Sequence, residues 1–396
     1  MKELFINNDK TKQWLTTLEQ LEVSIKQSAL QADEQNCFVA DNIELVRKSG
    51  YSAITLPSLY GGAGFSIHDA IVLQETLASY DGSTALVMAW TLLTVGELYE
   101  NQYWDDTLLQ SFSNEVTAGA IINRAVSEAA TGSPIRGGKP TTTAIRNGNQ
   151  YIITGRKSYT TGAYALDYFL VSAWLQDEEQ IGFFLLAKDT PGLQIEDNWD
   201  MVGMRGTGSH DVVLNQVTVD ENKLVEIPSY RTGFKLNPWL LLIPATYLGI
   251  AQAAATYAID FANRHQPNSI TTTIAHLPNV QSSIGEMELL LLQARHSLYG
   301  TALAWERQTD KELLVSSVNA AKHTATNHAI AIVDIAMRIV GAKSLQLSNP
   351  LQRYYRDVRA GLHNPPMDDL TISLLAKHAN NNWRQKEGII DEKNTN

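Results

Sequence analysis

The sequence predicts an α+β multi-domain protein, with an N-terminal α-helical domain, a middle antiparallel β-domain and a C-terminal domain built like a four-helix bundle. Two observations predict this class. Apolar residues recur at helical spacing before residue 100 and again after residue 238. Between these regions, short runs rich in β-branched and aromatic residues are separated by turn residues. We expect domains at 1–119, 120–228 and 229–385, followed by a frayed tail at 386–396.

The N-terminal domain is predicted to consist of helices. Residues 11–50 carry apolar side chains near helical spacing and end at a glycine, and further helices are expected over 67–78 and 81–98. The turn before residue 67 contains Gly61-Gly62-Ala63-Gly64, which could be mistaken for a dinucleotide-binding loop. The pattern of a βαβ unit does not precede it, so we reject that interpretation.

The middle domain is predicted to be a small antiparallel β-structure. Turn residues such as Asn147-Gly148-Asn149 and Thr190-Pro191-Gly192 bound its runs. The expected strands are 151–153, 168–174, 182–187, 193–196 and 212–219.

The C-terminal domain returns to helical periodicity. Long apolar faces recur over 240–261, 282–309 and 316–340. Three long antiparallel helices of this kind form a bundle.

Composition excludes several classes of partner. Lysine and arginine total 31 against 42 aspartate and glutamate residues, a net charge of −11, so nucleic acid and anionic membranes are unfavourable partners. The single cysteine, Cys37, fits a reducing compartment. We expect a cytoplasmic protein without a signal peptide or a membrane span. The histidines show no metal-ligand spacing, so no metal is expected.

The loops of the middle domain carry hydroxyls rather than carboxylates. Ser127 and Thr161 offer hydroxyl groups that both donate and accept, and Tyr159 supplies an aromatic face beside them. Such loops suit a neutral, flat ligand that forms hydrogen bonds, although polar turns of a β-sandwich look similar. Lys157, just before these residues, is expected to be structural.

The order and spacing of these motifs resemble the middle domain of the acyl-CoA dehydrogenase flavoproteins. The motifs are Ser-Glu-x-x-x-Gly-Ser from residue 127, Lys-Ser-Tyr-Thr-Thr from residue 157, and Gly-Met-Arg-x-Thr-x-Ser from residue 203. The resemblance extends over about 45–377. It implies FAD as the cofactor, α,β-dehydrogenation of an acyl-CoA thioester, a separate electron acceptor and a homotetramer.

The resemblance also implies roles for single residues. Val126 and Ser127 would hydrogen-bond the edge of the isoalloxazine ring. Tyr159 would flank the ring, at a position where the family often has tryptophan, and Thr161 would reach the N5 region. Ser133 would lie beside the flavin phosphates or the acyl thioester.

The motifs for the distal half of FAD are incomplete. Relatives that bind FAD carry Arg-x-x-Phe-Gly on the first bundle helix, but here no Phe-Gly follows Arg264. The Gln-x-x-Gly-Gly loop that relatives supply from a neighbouring subunit reads Arg338-Ile339-Val340-Gly341-Ala342 here. Arg264 or Arg338 could meet a pyrophosphate, and Gly341 permits close backbone approach. FMN is therefore the alternative flavin.

The usual catalytic base of the family is missing. The family carries a glutamate about eight residues after an Arg-Asp pair; here the pair is Arg356-Asp357 and the glutamate position falls on Pro365. Proline removes both the carboxylate and a backbone N–H. Some members place the base on the first bundle helix, where this sequence has Trp239.

Three interpretations stay open. Asp368 or Asp369 could replace the glutamate as base, although the pair could equally be a solvated helix start. His363, in Leu362-His363-Asn364-Pro365, could serve instead, because a similar segment occurs in a flavin-dependent monooxygenase branch whose members depend on a flavin reductase and oxygen. The third is a flavin- or acyl-CoA-binding protein that has lost catalysis.

Overall fold

The N-terminal domain is helical, as predicted. The computed structural model describes residues 2–131, 138–228 and 237–387. Side chains cap four of its helices, since Asn8, Ser66, Asp81 and Asp105 each accept a backbone N–H of the first turn that follows. The helices are α1 (Asp9–Gln35), α2 (Ala40–Lys48), α3 (Ile67–Tyr80), α4 (Gly82–Asn101) and α5 (Asp106–Thr117).

The middle domain is one sheet, mostly antiparallel as predicted, and two of the described strand pairs are parallel. The strands run in the order β6-β7-β3-β2-β4-β5-β8, and β1 also pairs with β4. Both β1 and β2 run parallel to β4. The strands are β1 (Ile122–Ala125), β2 (Thr143–Asn147), β3 (Gln150–Lys157), β4 (Tyr168–Leu175), β5 (Gln180–Ala187), β6 (Leu193–Glu196), β7 (Asp211–Asp220) and β8 (Leu224–Glu226).

The parallel pairs have a simple geometric origin. Strand β1 pairs with the start of β4 and β2 with its end, so the two short strands follow each other along one edge of β4. Because both run in the same direction, a connection over 126–142 joins them in place of a hairpin turn.

The C-terminal domain contains the three predicted long helices and two more. Helix α6 packs against α3 and α8. It also has the length and apolar composition of a membrane-crossing helix, but 83% of its most apolar window is buried inside the protein, which identifies it as the core helix of the bundle. The helices are α6 (Leu242–Arg264), α7 (Pro278–Arg307), α8 (Val315–Val340), α9 (Pro350–Val358) and α10 (Asp368–Lys386).

A buried ion pair links the two helical domains. The Glu75 carboxylate on α3 accepts hydrogen bonds from Arg295 Nε at 3.1 Å and Nη2 at 2.6 Å, both from α7. The Tyr299 hydroxyl donates to the same carboxylate, and Arg295 Nη2 also donates to Gln252 on α6 at 2.6 Å. Removing one partner would leave a charge buried and unpaired, so this contact fixes α3 against the bundle.

The Arg-Asp pair at the end of α9 joins all three domains. Arg356 donates to both carboxylate oxygens of Asp33 on α1, at 3.1 and 2.6 Å, and to the carbonyl of Val202 at 2.7 Å. Asp357 accepts the backbone N–H of Met204 at 2.6 Å. A Cβ at Gly203 would lie 2.4 Å from the Arg356 carbonyl oxygen, so only glycine permits this approach.

The Asp357 carboxyl should make stability depend on pH. Burial raises its pKa to about 6, against the opposing effects of the Arg353 guanidinium and the Met204 N–H. In the unfolded chain it titrates near 3.9, roughly, so between about pH 4 and 6 the folded state holds more protons and becomes less stable as the pH rises. We expect the melting temperature of the wild type, relative to Asp357→Asn, to fall over this range. Parallel melting profiles from pH 4 to 7 would contradict it.

Candidate active site

Three loops of the sheet meet to form a surface that we call the three-loop cradle, made of 126–128, 158–162 and 199–209. The Ser158 N–H donates to the Ser127 carbonyl at 2.8 Å, and the Gly162 N–H donates to the Thr207 carbonyl at 2.9 Å. These backbone bonds bring together the loops that hold the predicted residues Val126, Ser127, Tyr159 and Thr161.

Tyr159 presents an exposed aromatic ring at the cradle. Its backbone is left-handed, with φ of +57°, and its side chain is 63% exposed. The ring meets Trp199 edge-to-face, with centroids 6.3 Å apart. A bulky residue held in this backbone region costs free energy, and such positions concentrate at functional sites. The arrangement provides an aromatic wall for a flat ligand.

Thr161 ends a row of buried hydroxyls. Ser209 Oγ lies 3.0 Å from Thr161 Oγ1 and 2.9 Å from Thr207 Oγ1. The Asn123 side chain, on β1, donates to the Thr161 carbonyl at 3.1 Å. The backbone and the hydroxyl of Thr161 are therefore both held in place.

A buried ion pair supports the loop that contains Ser127. Lys157 Nζ, on β3, lies 2.5 Å from Glu128 Oε1 and 3.0 Å from Ser172 Oγ. Burial alone would raise the pKa of Glu128, but hydrogen bonds from Lys157 and Thr141 and the lysine charge outweigh it and lower the pKa to about 2. Lys157 is fully buried in this pair, which agrees with the structural role predicted for it.

Trp199 and Ser209 were missed by sequence reasoning. The Trp199 indole N–H donates to the Met204 carbonyl at 3.1 Å, so this residue braces the loop from inside. Ser209 lies within a motif that the sequence analysis quoted, but its contact with Thr161 spans 48 positions of the chain. The available signal was the place of Trp199 in the sequence, four residues before the Gly203-Met204-Arg205 motif.

The segment after α9 approaches the cradle through Asp357 and Met204. It forms a 3-10 turn over Arg359–His363, in which Gly361 packs against the Tyr247 ring. Asn364 Nδ2 then donates to the Tyr247 hydroxyl at 2.6 Å. His363 is exposed at the end of this turn.

Trp239, which the resemblance places at the alternative position for a base, is a buried aromatic residue. Trp239 is 7% exposed, and a Cβ at Gly96 of α4 would lie 2.5 Å from its ring atoms. Its indole N–H donates to Glu100 Oε2 at 2.6 Å. An indole offers no basic group for proton abstraction from carbon.

Asp368 and Asp369 lie in the first turn of α10. The Asp368 carboxylate accepts from Asn327 Nδ2 at 2.9 Å and lies 3.6 Å from Lys322 Nζ and 3.8 Å from His323 Nε2, all on α8. Asp369 is exposed. The structure thus pairs Asp368 with the bundle, and a role as base would require it to leave these partners.

The residues predicted for the distal part of the cofactor lie at one end of the bundle. Arg264 is 80% exposed and pairs with Asp260 at 2.7 Å. Gly341 ends α8 with φ of +68°, after the exposed Arg338. Lys343, just beyond it, lies over the Phe261 ring of α6 at 5.6 Å, which brings the two regions together. The predicted Ser133 lies outside the described residues.

Comparison with known proteins settles the family. Models of the N-terminal, middle and C-terminal domains of acyl-CoA dehydrogenases match residues 14–101, 123–217 and 241–364. The chain is 52% identical over 376 residues to the Bacillus subtilis (strain 168) protein described as "Putative acyl-CoA dehydrogenase YdbM", covering 95% of this chain and 99% of that one. The chain belongs to the acyl-CoA dehydrogenase family.

Other proteins similar to this chain are described by different activities. The amino sugar nitrososynthase DnmZ of Streptomyces peucetius is 27% identical over 344 residues, covering 80% of each chain. The structure of butyryl-CoA dehydrogenase from Megasphaera elsdenii superimposes with a TM-score of 0.84 at 18% identity, covering 94% of this chain and 99% of that one. The predicted fold and family are confirmed, and with them the class of flavin-dependent oxidoreductases.

The cradle has groups that fit a flavin of the acyl-CoA dehydrogenase family. An isoalloxazine ring is flat, with polar atoms along one edge, and the cradle offers an exposed phenol ring on a left-handed backbone with hydroxyl-bearing loops beside it.

Breaking the pair under the cradle should be costly. Lys157→Met leaves the Glu128 carboxylate buried without its charged partner, so we expect a loss of about 3–5 kcal/mol in the free energy of unfolding. Glu128→Gln combined with Lys157→Met should lose clearly less, because no buried charge remains. Both are measured by denaturant unfolding.

The matched control is Lys188→Met. Lys188 is 62% exposed and lies 3.2 Å from Asp167, so this surface pair should contribute at most about 1 kcal/mol. Equal losses for the buried and the exposed lysine would contradict a supporting role for the Lys157–Glu128 pair.

Proposed function

We propose that the three-loop cradle binds a flavin and that the protein dehydrogenates an acyl-CoA thioester between its α and β carbons. The observation that carries the proposal is the exposed Tyr159 ring, flanked by the loops of Ser127 and Thr161, in the motifs that resemble those of the family. FAD is the proposed cofactor; FMN is the alternative, because Arg264 is paired with Asp260 and no Phe-Gly follows it.

The residues of the site would have the following roles. Val126 and Ser127 bond the ring edge, Tyr159 covers the ring, and Thr161 holds the N5 region. A bound flavin supplies the acceptor for a hydride from the β carbon. The α proton needs a base, and with proline at residue 365 we look for it among His363, Asp368 and Asp369.

Asp368 is the proposed base for dehydrogenation, with Asp369 in the same helical turn as its alternative. A carboxylate provides the proton affinity that removal of an α proton requires. Lys322, on α8, lies 3.6 Å from the Asp368 carboxylate and would orient it until substrate binds.

The proposal extends to partners and location. Electrons would leave to a separate redox protein, the chain would assemble as a homotetramer, and the exposed free Cys37 fits a reducing cytoplasm. The acyl-CoA phosphates would need a local basic patch, because the chain carries a net charge of −11.

A second candidate is a flavin-dependent monooxygenase that acts on a small organic molecule. Pro365 and Trp239 at both usual base positions favour it, as does the similarity to the nitrososynthase DnmZ. His363 would then hold or deliver a proton at the reacting oxygen, and a flavin reductase would be the partner.

Anaerobic titration with a panel of acyl-CoAs distinguishes the two. For the dehydrogenase, the flavin absorption band should bleach, and Asp368→Ala or Asp369→Ala should slow bleaching by about 100-fold or more, because base catalysis contributes this much. His363→Ala, in the same segment, is the matched control and should keep wild-type bleaching.

The opposite result identifies the alternative. No bleaching by any acyl-CoA, together with oxygen consumption by the protein loaded with reduced flavin and its loss in His363→Ala, would overturn dehydrogenation in favour of the monooxygenase. Flavin binding with neither bleaching nor oxygen consumption would indicate a flavin-binding protein without catalytic activity.

A further inference from the structure

Three hydroxyl groups form a continuous row beneath the cradle, which we call the hydroxyl chain. Thr207 Oγ1 and Ser209 Oγ are 2.9 Å apart, and Ser209 Oγ donates to Thr161 Oγ1 at 3.0 Å. The exposed fraction increases along the row, from 1% at Thr207 to 4% at Ser209 and 8% at Thr161. The chain therefore has a buried inner end at Thr207 and an outer end at the cradle.

The inner end meets a carbonyl group that is already satisfied. Thr207 Oγ1 lies 2.9 Å from the Met204 carbonyl oxygen. That oxygen also accepts the Thr207 backbone N–H and the Trp199 indole N–H, both at 3.1 Å. A carbonyl oxygen has two lone pairs, so these two N–H donors suffice and the Thr207 hydroxyl hydrogen is available to Ser209.

The hydroxyl chain can be ordered in two ways, because each hydroxyl has one hydrogen. In the inward order, which reverses the contact seen between Ser209 and Thr161, Thr161 donates to Ser209, Ser209 to Thr207, and Thr207 to the Met204 carbonyl. In the outward order Thr207 donates to Ser209 and Ser209 to Thr161. Thr161 then presents lone pairs to the cradle in the inward order and a hydrogen in the outward order.

We propose that the hydroxyl chain reverses its order with the redox state of the bound flavin, and so sets the relative affinity for the two states. This rests on the proposed function, in which Thr161 meets flavin N5. Oxidised flavin offers a lone pair at N5, which matches the outward order, whereas reduced flavin carries a hydrogen there, which matches the inward order. Thr207, Ser209 and Trp199 are then positioning residues, since they act through Thr161.

Two substitutions should shift the affinities in opposite directions. Trp199→Phe keeps a ring beside Tyr159 but removes the indole N–H, so the Met204 carbonyl takes the Thr207 hydrogen and the inward order is favoured. Thr207→Val removes the inner hydroxyl, so Ser209 donates to Thr161 and the outward order is favoured. If one order is favoured by the free energy of one hydrogen bond, the ratio of the affinities for oxidised and reduced flavin changes by about 2- to 10-fold.

The ratio is measured with FAD and FMN on each variant. The dissociation constant of the oxidised flavin comes from fluorescence titration, and that of the dithionite-reduced flavin from anaerobic titration. We expect Trp199→Phe to favour reduced flavin and Thr207→Val to favour oxidised flavin, each by about 2- to 10-fold. Ser209→Ala interrupts the chain, so neither substitution should change the ratio in that background. Thr218→Val, an exposed hydroxyl on β7, is the matched control.

Other outcomes overturn the inference or its premise separately. The proposed reversal would be overturned if both substitutions shifted the affinity ratio in the same direction or left it unchanged. It would also be overturned if the shifts were equal with and without the Ser209 hydroxyl. Absence of flavin binding in the wild type, or unchanged affinity for both flavin states in Thr161→Val, would instead contradict the proposed function. If Trp199→Phe fails to fold, the effect of Thr207→Val on the affinity ratio, compared in the wild-type and Ser209→Ala backgrounds, tests the proposal by itself.

Discussion

The structure depends on the contact that two adjacent residues of α9 make with the rest of the molecule. Arg356 binds α1 through Asp33, and Asp357 accepts a backbone N–H of the cradle loop at Met204. The Asp357 carboxyl group is buried, and the hydrogen bond that it accepts from the Met204 N–H offsets part of the free-energy cost of removing it from water. The same two residues begin the segment that leads to His363. The cradle and the candidate base are therefore positioned from a single anchor, and neither can move without disturbing all three domains.

Much of the fold was predictable because helical periodicity is local. The long helices and the longer strands followed from spacing alone. Strands β1, β2 and β8 were not predicted, because short strands give a weak local signal and the parallel pairing of β1 with β4 joins positions about 45 residues apart in sequence. In the site, Tyr159 and Thr161 could be predicted because they belong to the Lys-Ser-Tyr-Thr-Thr motif. The roles of Trp199 and Ser209 could not be predicted, because they depend on contacts that form only in the folded chain.

By the resemblance, the catalytic glutamate would fall on Pro365 or, at its alternative position, on Trp239. The Trp239 indole donates to Glu100, and the proposed replacement, Asp368, is held by α8. As the proposed base, Asp368 would have to leave its contacts with Asn327, Lys322 and His323 when substrate binds.

The Glu75–Arg295 pair has a consequence for synthesis of the chain. Its two residues are 220 positions apart, so a nascent N-terminal domain has Glu75 without its partner until α7 leaves the ribosome. At about 5–20 residues per second, this interval is roughly 10–40 seconds. An ionised carboxylate without a partner opposes closure of an apolar core. The first domain to be translated is therefore among the last to be completed, and during this interval its apolar surface is accessible to chaperones.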